Sequence, residues 1–411
     1  GDILSSDGEI LATTVTDPDG NETRYYPYGE KFSHAVGYMI NGQYGIESSA
    51  NFYMLRSHAF LLKYLANEIT GQKNPGDTVV TSLNASLQER AYDALGDNDG
   101  AVVVMEPDTG KILAMVSKPD FDPNTVAYDW DDIVNDESSS VLLTRASQGL
   151  SPPGSTFKII TALEYMRENS NYDSFRYDCE GEVTRDDYTI HCYKGAVHGE
   201  ENLEESFAHS CNTAFSTIGL SLNINKLNSF CNSMLFNQAL PTGLKTAKSQ
   251  FTLSGSEGEA KVMTTAIGQG DTLVSPIHMA MIASAICNDG VLCKPYIADH
   301  IENEAGTVVR RFDTQEYGKL LNKEDTQRIR SLMEAVTDYG TGSALSGRGY
   351  EVFGKTGSAE YNEAKDSHGW FVGYAQDGDK QIAIAVIVED GGSGSSSAVP
   401  VAGEVFDQYF D

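Results

Sequence analysis

The sequence predicts an α+β fold in which a small β-rich domain over residues 1–95 precedes a larger α+β domain over residues 96–411. The leading part is rich in Gly, Tyr and turn signals, which is typical of short strands joined by tight turns. From residue 96 the chain opens with a hairpin, alternates helical stretches with polar loops to about residue 346, and ends in strand-like segments. This order favours an antiparallel sheet flanked by helices.

Turn signals place the elements of the leading domain. Residues 5–14 predict a strand, an Asp-Gly turn and a second strand, and residues 16–27 predict another hairpin. Residues 51–70 have the apolar spacing of a helix.

The larger domain begins and ends in strands. Residues 96–124 predict a hairpin around the turn Pro107–Gly110. Three segments near the C-terminus predict an antiparallel meander, namely residues 351–361, 369–376 and 381–390. A flexible loop over residues 390–400 and a short closing helix are expected to follow.

Composition excludes several functional classes. The chain has 411 residues, of which 40% are apolar, so we expect a folded protein with a sizeable core. Its 29 basic and 59 acidic residues give a net charge of -30. Such a surface repels phosphates, which argues against general nucleic-acid binding and against docking on anionic lipid.

No apolar run approaches the roughly 20 residues that a membrane-spanning helix needs. The longest run, Ile382–Val388, has the length of a buried strand. Because the chain opens on Gly1 and not on Met, we interpret it as trimmed, which leaves open whether an N-terminal anchor has been removed.

The segment "GYEVFGKTGS", residues 349–358, fits two motifs. It matches the phosphate loop G-x-x-x-x-G-K-[ST], and Glu389-Asp390 at the end of an apolar strand resembles a magnesium-binding Walker B site. A phosphate loop, however, needs an apolar strand before it and a helix that opens at the Lys-Thr pair. The flanking residues predict neither, so the nucleotide-binding alternative is disfavoured by context.

The segment "SPPGSTFKIITALEYM" suggests a nucleophile at a helix start. Ser155 and Lys158 are three residues apart on one helical face, with Cβ atoms expected roughly 5–6 Å apart. A serine hydroxyl needs a neighbouring base to become a nucleophile, and a lysine can be that base if burial lowers its pKa. An ordinary surface pair would share this spacing, so the motif alone is weak.

Two further motifs follow. Ser210 and Asn212 lie on a predicted tight bend before an apolar helix, where a hydroxyl can relay a proton and a carboxamide can hold a peptide carbonyl. A capping serine with a turn asparagine is the ordinary alternative. The strand segment Lys355, Thr356, Gly357 and Ser358 offers a positive charge and hydroxyls for a carboxylate, beside a bare edge along which a peptide can lie. A lysine-protected edge strand is the alternative there.

Together, S-x-x-K, S-x-N and K-T-G in this order are a strong signature. The chain resembles the class B penicillin-binding proteins, the monofunctional transpeptidases of bacterial cell-wall synthesis, in the subgroup with a short N-terminal pedestal. The resemblance covers almost the whole chain and is carried by these segments: residues 1–12, 24–38, 45–55, 100–124, 142–158, 268–290 and 368–375.

The resemblance implies a role for each motif residue. Ser155 would form the acyl-enzyme, Lys158 would be its base and Ser210 the proton relay. Asn212 would hold the donor peptide. Lys355, Thr356, Gly357 and Ser358 would bind its terminal carboxylate, and the backbone N–H groups of Ser155 and Ser358 would form the oxyanion hole.

The resemblance also implies the biological setting. The substrate would be the D-Ala-D-Ala end of a peptidoglycan stem peptide, and β-lactams would trap the same serine. No metal or organic cofactor is expected. The catalytic domain would lie outside the cell membrane on a single N-terminal anchor. A membrane-embedded glycan polymerase would be its partner, and the protein would have a role in cell shape.

Related activities remain as alternatives. A β-lactamase would need a glutamate-bound water, but Ile224 stands where the E-x-x-L-N motif would have its Glu. A D,D-carboxypeptidase passes the acyl group to water, and its sequence is difficult to distinguish from that of a transpeptidase. A β-lactam-binding sensor of the same fold would be acylated but would not turn over substrate.

The six cysteines leave two questions open. Cys179 with Cys192, and Cys287 with Cys293, are candidate disulfides, although spacing does not fix connectivity. His191, Cys192 and His198, together with Cys179, also suggest zinc ligands. Because no C-x-x-C pattern is present, a disulfide hairpin with surface histidines is the expectation.

Overall fold

A computed structural model describes residues 1–40, 43–58, 67, 69, 73–136, 139–361 and 365–411. In these ranges the strands are β1 (Ile3–Leu4), β2 (Ile10–Thr16), β3 (Glu22–Tyr25), β4 (Thr78–Thr81), β5 (Gly100–Met105), β6 (Ile112–Lys118), β7 (Tyr177–Cys179), β8 (Glu182–Arg185), β9 (Tyr188–His191), β10 (Gly199–Glu201), β11 (Val291–Cys293), β12 (Ala298–Glu302), β13 (Val308–Arg311), β14 (Glu316–Lys319), β15 (Glu351–Ala359), β16 (His368–Asp377) and β17 (Lys380–Val388).

The α-helices of the same ranges are α1 (Ser33–Val36), α2 (Gly45–Ser49), α3 (Asn51–Met54), α4 (Ala85–Leu95), α5 (Trp130–Asn135), α6 (Arg145–Gln148), α7 (Lys158–Glu168), α8 (Leu203–Ala208), α9 (Asn212–Ser221), α10 (Ile224–Ser233), α11 (Glu259–Ala266), α12 (Pro276–Cys287), α13 (Lys323–Asp338) and α14 (Ala398–Phe410). Short 3₁₀ turns cover Gly29–Phe32, Gly154–Phe157, Tyr172–Ser174, Tyr193–Gly195 and Ser343–Leu345. None of these helices is both long enough and apolar enough to span a bilayer.

The centre of the larger domain is a five-stranded antiparallel sheet in the order β15-β16-β17-β5-β6. The predicted hairpin and the predicted C-terminal meander are both confirmed, and β17 joins them by pairing with β5. Strands from the two ends of the domain thus form one sheet, and β15, which carries the K-T-G motif, lies at its edge.

Helices cover both faces of this sheet. Helix α12 packs on β5, β16 and β17, whereas α4 and α14 pack on the opposite face. Alternate residues of β17 belong to the two separate cores: Ala383, Ala385 and Ile387 face one, and Ile382, Ile384 and Val386 face the other. A strand buried on both faces is a continuous apolar run, which explains the segment noted in the sequence. The predicted α+β fold with helices around an antiparallel sheet is confirmed.

A second sheet, in the order β13-β12-β4-β1-β2-β3, carries the leading part of the chain. The two predicted hairpins are present as the antiparallel pairs β1/β2 and β2/β3. Strands β12 and β13 come from residues 298–311, so this sheet contains both an early and a late segment of the chain. The domain boundary between residues 95 and 96 stays a prediction.

Two predicted helices have different bounds in the structure. The helix expected over residues 51–70 is present only as α3 at Asn51–Met54 and does not continue through residues 55–58, while most of the remainder lies outside the described residues. The closing helix begins at Ala398, inside the segment predicted as loop, because Pro400 lies in its first turn, where a missing N–H costs no hydrogen bond.

Candidate active site

The turn that carries Ser155 is fixed against the central sheet. Ser155 lies in the 3₁₀ turn Gly154–Phe157, and Lys158 is the first residue of α7, so the predicted helix start is confirmed. Trp370 of β16 donates its indole N–H to the carbonyl of Pro152 at 3.0 Å. A Cβ atom on Gly154 would lie 2.8 Å from the carbonyl oxygen of Ser358, so only glycine allows the turn to approach β15 this closely.

Lys158 links two of the three motifs. Its Nζ atom donates hydrogen bonds to the backbone carbonyl of Ser210 at 2.7 Å, to Asn212 Oδ1 at 2.8 Å and to Ser210 Oγ at 3.2 Å. The side chain is fully buried, and this burial lowers its pKa to about 8. A buried amine that loses its proton near neutral pH has the property that a general base requires.

The S-x-N motif forms the bend between α8 and α9. Ser210 has a φ of +58°, a left-handed conformation that is uncommon for a residue with a side chain and that clusters at functional sites. Cys211, between the two motif residues, caps α9 by accepting the backbone N–H of Ala214 at its sulfur, 3.4 Å away. Asn212 donates its amide to the carbonyl of His191 at 3.0 Å, which ties the bend to strand β9.

The K-T-G motif lies in the middle of edge strand β15. Lys355 is fully buried, its Nζ atom donates to the carbonyl of Thr356 at 3.2 Å, and burial holds its pKa well below the usual value, with the charge of Lys158 adding to the effect. The Thr356 hydroxyl lies 2.5 Å from that of Thr341. A Cβ atom on Gly357 would come within 3.0 Å of the carbonyl of Pro153, so glycine lets β15 lie directly beside the turn that carries Ser155.

The three motifs surround one cleft of about 920 Å³. It is lined by Ser155, Ser210, Asn212, Thr356, Gly357 and Ser358, and the two lysines are fully buried beside them. The structure therefore brings together the residues of the three motifs. Their individual roles remain those proposed below.

Sequence reasoning missed part of the cleft wall. The serine-rich loop predicted as a flexible linker lies at the cleft: Ser393 and Ser395 line it, Ser395 Oγ donates to the carbonyl of Thr341 at 2.7 Å, and the Gly394 N–H donates to Ser358 Oγ at 3.4 Å. Low-complexity sequence gave no signal for this position. Residues 188–196, which contain strand β9 and the 3₁₀ turn after it, also line the cleft.

The structure does not support nucleotide binding at residues 349–358. Lys355 lies within a strand whose partner is the antiparallel β16, and no described residue after it forms the helix that a phosphate loop needs. The proposed Walker B residues are also engaged elsewhere, since Glu389 pairs with Arg145 at 2.9 Å and Asp390 with Lys365 at 3.2 Å.

Neither candidate disulfide is formed. The sulfur atoms of Cys179 and Cys192 are 3.6 Å apart, well beyond the roughly 2 Å of an S–S bond, and both residues are free thiols. Cys287 and Cys293 are free as well: Cys287 contacts Gln381 and Cys293 contacts the carbonyl of Asp108.

Comparison with known protein families agrees with this geometry. Residues 100–408 match the model of the penicillin-binding protein transpeptidase domain, and residues 1–79 match the dimerisation domain of penicillin-binding protein A. The chain belongs to the class B penicillin-binding proteins. The resemblance noted in the sequence is thereby confirmed.

Individual relatives are similar over nearly their whole length. The peptidoglycan D,D-transpeptidase PbpA of Mycolicibacterium smegmatis is 29% identical over 97% of this chain and 86% of its own. Among solved structures, a D,D-transpeptidase domain from Eggerthella lenta is 30% identical with a TM-score of 0.89, covering 99% of this chain and 97% of that one. The imipenem acyl-enzyme of penicillin-binding protein A from M. tuberculosis is 27% identical with a TM-score of 0.90, covering 100% and 98%.

Proposed function

We propose that this penicillin-binding protein is a serine-type peptidoglycan D,D-transpeptidase that β-lactams inhibit covalently. The observation that carries the proposal is the position of Lys158. A fully buried amine with a pKa of about 8 lies against Ser210 and Asn212, at the side of a cleft that Ser155 lines. The names of the relatives, which are D,D-transpeptidases, support the same substrate class.

The first half of the reaction would acylate Ser155. Its Oγ atom bonds to the carbonyl carbon of the penultimate D-Ala of a stem peptide, while its proton passes to the neutral amine of Lys158. The bond to the terminal D-Ala then breaks, and the proton reaches the leaving amine through the Ser210 hydroxyl. Backbone N–H groups of Ser155 and Ser358 would stabilise the oxyanion of the tetrahedral intermediate.

The second half would form the cross-link. An amine of a neighbouring stem peptide attacks the ester, loses a proton to Lys158, and displaces Ser155, which recovers its own proton. A new peptide bond replaces the ester, so the energy of the donor peptide bond is retained and no cofactor is needed for this exchange.

Recognition of the terminal carboxylate would fall to β15. Among the described residues, the carbonyl of Thr356 accepts a hydrogen bond from Lys355 and Lys158 is the one charged group that shifts its pKa, so this buried amine has no anion to hold its charge. An arriving substrate carboxylate would supply one, and the hydroxyls of Thr356 and Ser358 would donate to it. Gly357 leaves room for the substrate backbone beside the strand.

A D,D-carboxypeptidase or a β-lactam-binding sensor would share this acylation site. Mass spectrometry of products from a D-Ala-D-Ala pentapeptide, with and without an acceptor amine, separates the three. A transpeptidase gives the amide of the acceptor, a carboxypeptidase gives the tetrapeptide acid regardless of the acceptor, and a sensor gives neither.

Partner and location rest on the resemblance. We propose that the protein works at the outer face of the cell membrane with a membrane-embedded glycan polymerase, as class B enzymes do. Co-purification with such a polymerase from solubilised membranes tests this; recovery without any polymerase would contradict it.

The central experiment is covalent labelling with a penicillin. We expect intact-mass spectra to show one β-lactam adduct per chain, with peptide mapping placing it on Ser155. Ser155→Ala should abolish the adduct, and Ser151→Ala, a matched serine four residues upstream, should retain it. Wild-type protein that is folded but carries no adduct would refute the proposal.

A further inference from the structure

Three cysteines and one histidine converge beside the S-x-N bend. The Sγ atoms of Cys179, Cys192 and Cys211 and a ring nitrogen of His198 all lie within 4.8 Å of one another. We propose that this cluster is a closed structural zinc site that holds the S-x-N motif in place. It goes beyond the transpeptidase reaction, because zinc would position catalytic residues without touching the substrate.

The distances fit a tetrahedral zinc centre. With Zn–S bonds of about 2.3 Å and a Zn–N bond of about 2.0 Å, tetrahedral angles place sulfur atoms ~3.8 Å apart and sulfur and nitrogen ~3.5 Å apart. In the structure Cys179 and Cys192 are 3.6 Å apart, Cys192 and Cys211 are 3.8 Å apart, and Cys179 lies 3.3 Å from His198 Nδ1. These three separations are close to those of ligands that share one ion, and every other pair of ligand atoms lies within 4.8 Å.

The ligand chemistry also points to zinc. Three thiolates and one imidazole form a Cys₃His set, which is common in closed structural zinc sites. Because thiolates are soft ligands, this set favours zinc over magnesium and calcium. The three cysteines are at most 2% exposed, and His198 is half-buried. With every ligand supplied by the protein, no position is left open for a catalytic water.

The surrounding groups can stabilise thiolates. The Thr213 hydroxyl lies 3.3 Å from both Cys179 and Cys211, and the backbone N–H of Ala214 points at Cys211 from 3.4 Å. Donors of this kind orient metal-bound sulfur and reduce its charge.

The four ligands come from three separate chain segments. Cys179 ends β7, Cys192 and His198 flank the turn between β9 and β10, and Cys211 lies between Ser210 and Asn212. An ion shared by them would attach the β7–β10 region to the catalytic bend, which otherwise depends on contacts such as the bond from Asn212 to His191. Ser210 holds a left-handed conformation that needs such external support.

The sequence pointed to only part of this set. Cys179, Cys192 and His198 were candidates, but His191 is largely exposed and lies 3.4 Å from Glu182 instead. Cys211 was assigned only to the S-x-N motif, because its distance along the chain from the other ligands gave no spacing pattern.

A disulfide is the competing state of these residues. One bond between two of the three cysteines would consume two ligands, leave one thiol and exclude a tetrahedral zinc. The two states differ in metal content, in the number of titratable thiols and in mass by two hydrogens, so they are separable by experiment.

The test uses the whole chain purified without chelators. We expect inductively coupled plasma mass spectrometry to find one zinc per chain, bound after dialysis, and a mercurial thiol reagent to release it with three thiols consumed at the site. Refolding with cobalt should give the visible bands of a tetrahedral thiolate complex. Zinc removal should lower Tm by roughly 5 °C or more and slow penicillin acylation at least about tenfold.

Variants assign the ligands. His198→Ala and Cys211→Ser should lose the zinc, whereas His191→Ala and Cys293→Ser, matched controls outside the cluster, should keep it. The metal content and cobalt spectrum of wild-type protein test the zinc site even if a variant fails to fold. They also test it independently of whether penicillin acylates Ser155. Three results would overturn the proposal. They are wild-type protein without zinc, a Cys179–Cys192 disulfide in protein purified with a reductant or without added oxidant, and zinc retained by both ligand variants.

Discussion

The pKa of Lys158 predicts a specific pH dependence of acylation. Burial lowers this pKa from 10.5 to about 8, which favours the neutral amine by about 3 kcal/mol. At pH 7 about 10% of the amines would be neutral, compared with about 0.03% for an ordinary lysine, a gain of roughly 300-fold in usable base. The second-order rate constant for penicillin should therefore rise about tenfold per pH unit below pH 8 and level off above it.

Stopped-flow fluorescence with a fluorescent penicillin measures this rate between pH 6 and 9.5. Lys158→Arg retains a positive side chain that does not deprotonate in this range, so the rate should fall by about 10²–10⁴-fold at every pH. Lys226→Arg, at an exposed lysine on α10, is the matched control and should leave the profile unchanged. A profile that is flat between pH 6 and 8, or a Lys158→Arg rate close to that of the wild type, would remove Lys158 as the base.

Three further predictions concern the scaffold. Trp370→Phe removes the hydrogen bond to Pro152. Urea titrations should show a loss of about 1 kcal/mol in the free energy of unfolding, and acylation should slow several-fold. An unchanged acylation rate would show that this bond does not fix the turn that carries Ser155. Gly357→Ala places a Cβ atom within 3.0 Å of Pro153, so acylation should fall while Gly349→Ala, in open space, has no effect; equal rates would contradict this. His278 is fully buried, and this burial lowers its pKa from 6.5 to about 4, so the folded state favours the neutral imidazole. The stability that His278 contributes is therefore fully present above pH 6.5 and is lost as the pH falls towards 4. Calorimetric Tm should drop across that window, and less steeply in His278→Asn; parallel curves would exclude His278 as the cause.

Local patterns made the three motifs of the proposed active site predictable. Ser155 and Lys158 are three residues apart at a helix start, Ser210 and Asn212 share one bend, and Lys355 lies in a strand with clear β character, so each motif could be assigned from neighbouring residues. The order of the central strands β15 to β17 followed from the same local alternation.

What depends on distant residues was not predictable. The pairing of β17 with β5 and the entry of β12 into the leading sheet are decided by packing between segments hundreds of residues apart, for which one sequence carries no periodic signal. Cys211 joins Cys179 and Cys192 through tertiary packing that no ligand spacing in the sequence indicates, and the burial of Lys355 follows from helices that pack on its strand.

The two buried lysines make the charge of the cleft depend on its ligand. In the empty cleft burial and the nearby charge of Lys158 both lower the pKa of Lys355, so a proton on one amine disfavours a proton on the other. A bound carboxylate holds Lys355 in its charged form, and that charge in turn disfavours a proton on Lys158. Substrate binding would thus help to generate the neutral base. At saturating ligand, where the rate reports the bound complex, acylation by penicillin should consequently level off at a lower pH than acylation by its methyl ester, which lacks the anion. Identical midpoints for the two compounds would show that the lysines titrate independently.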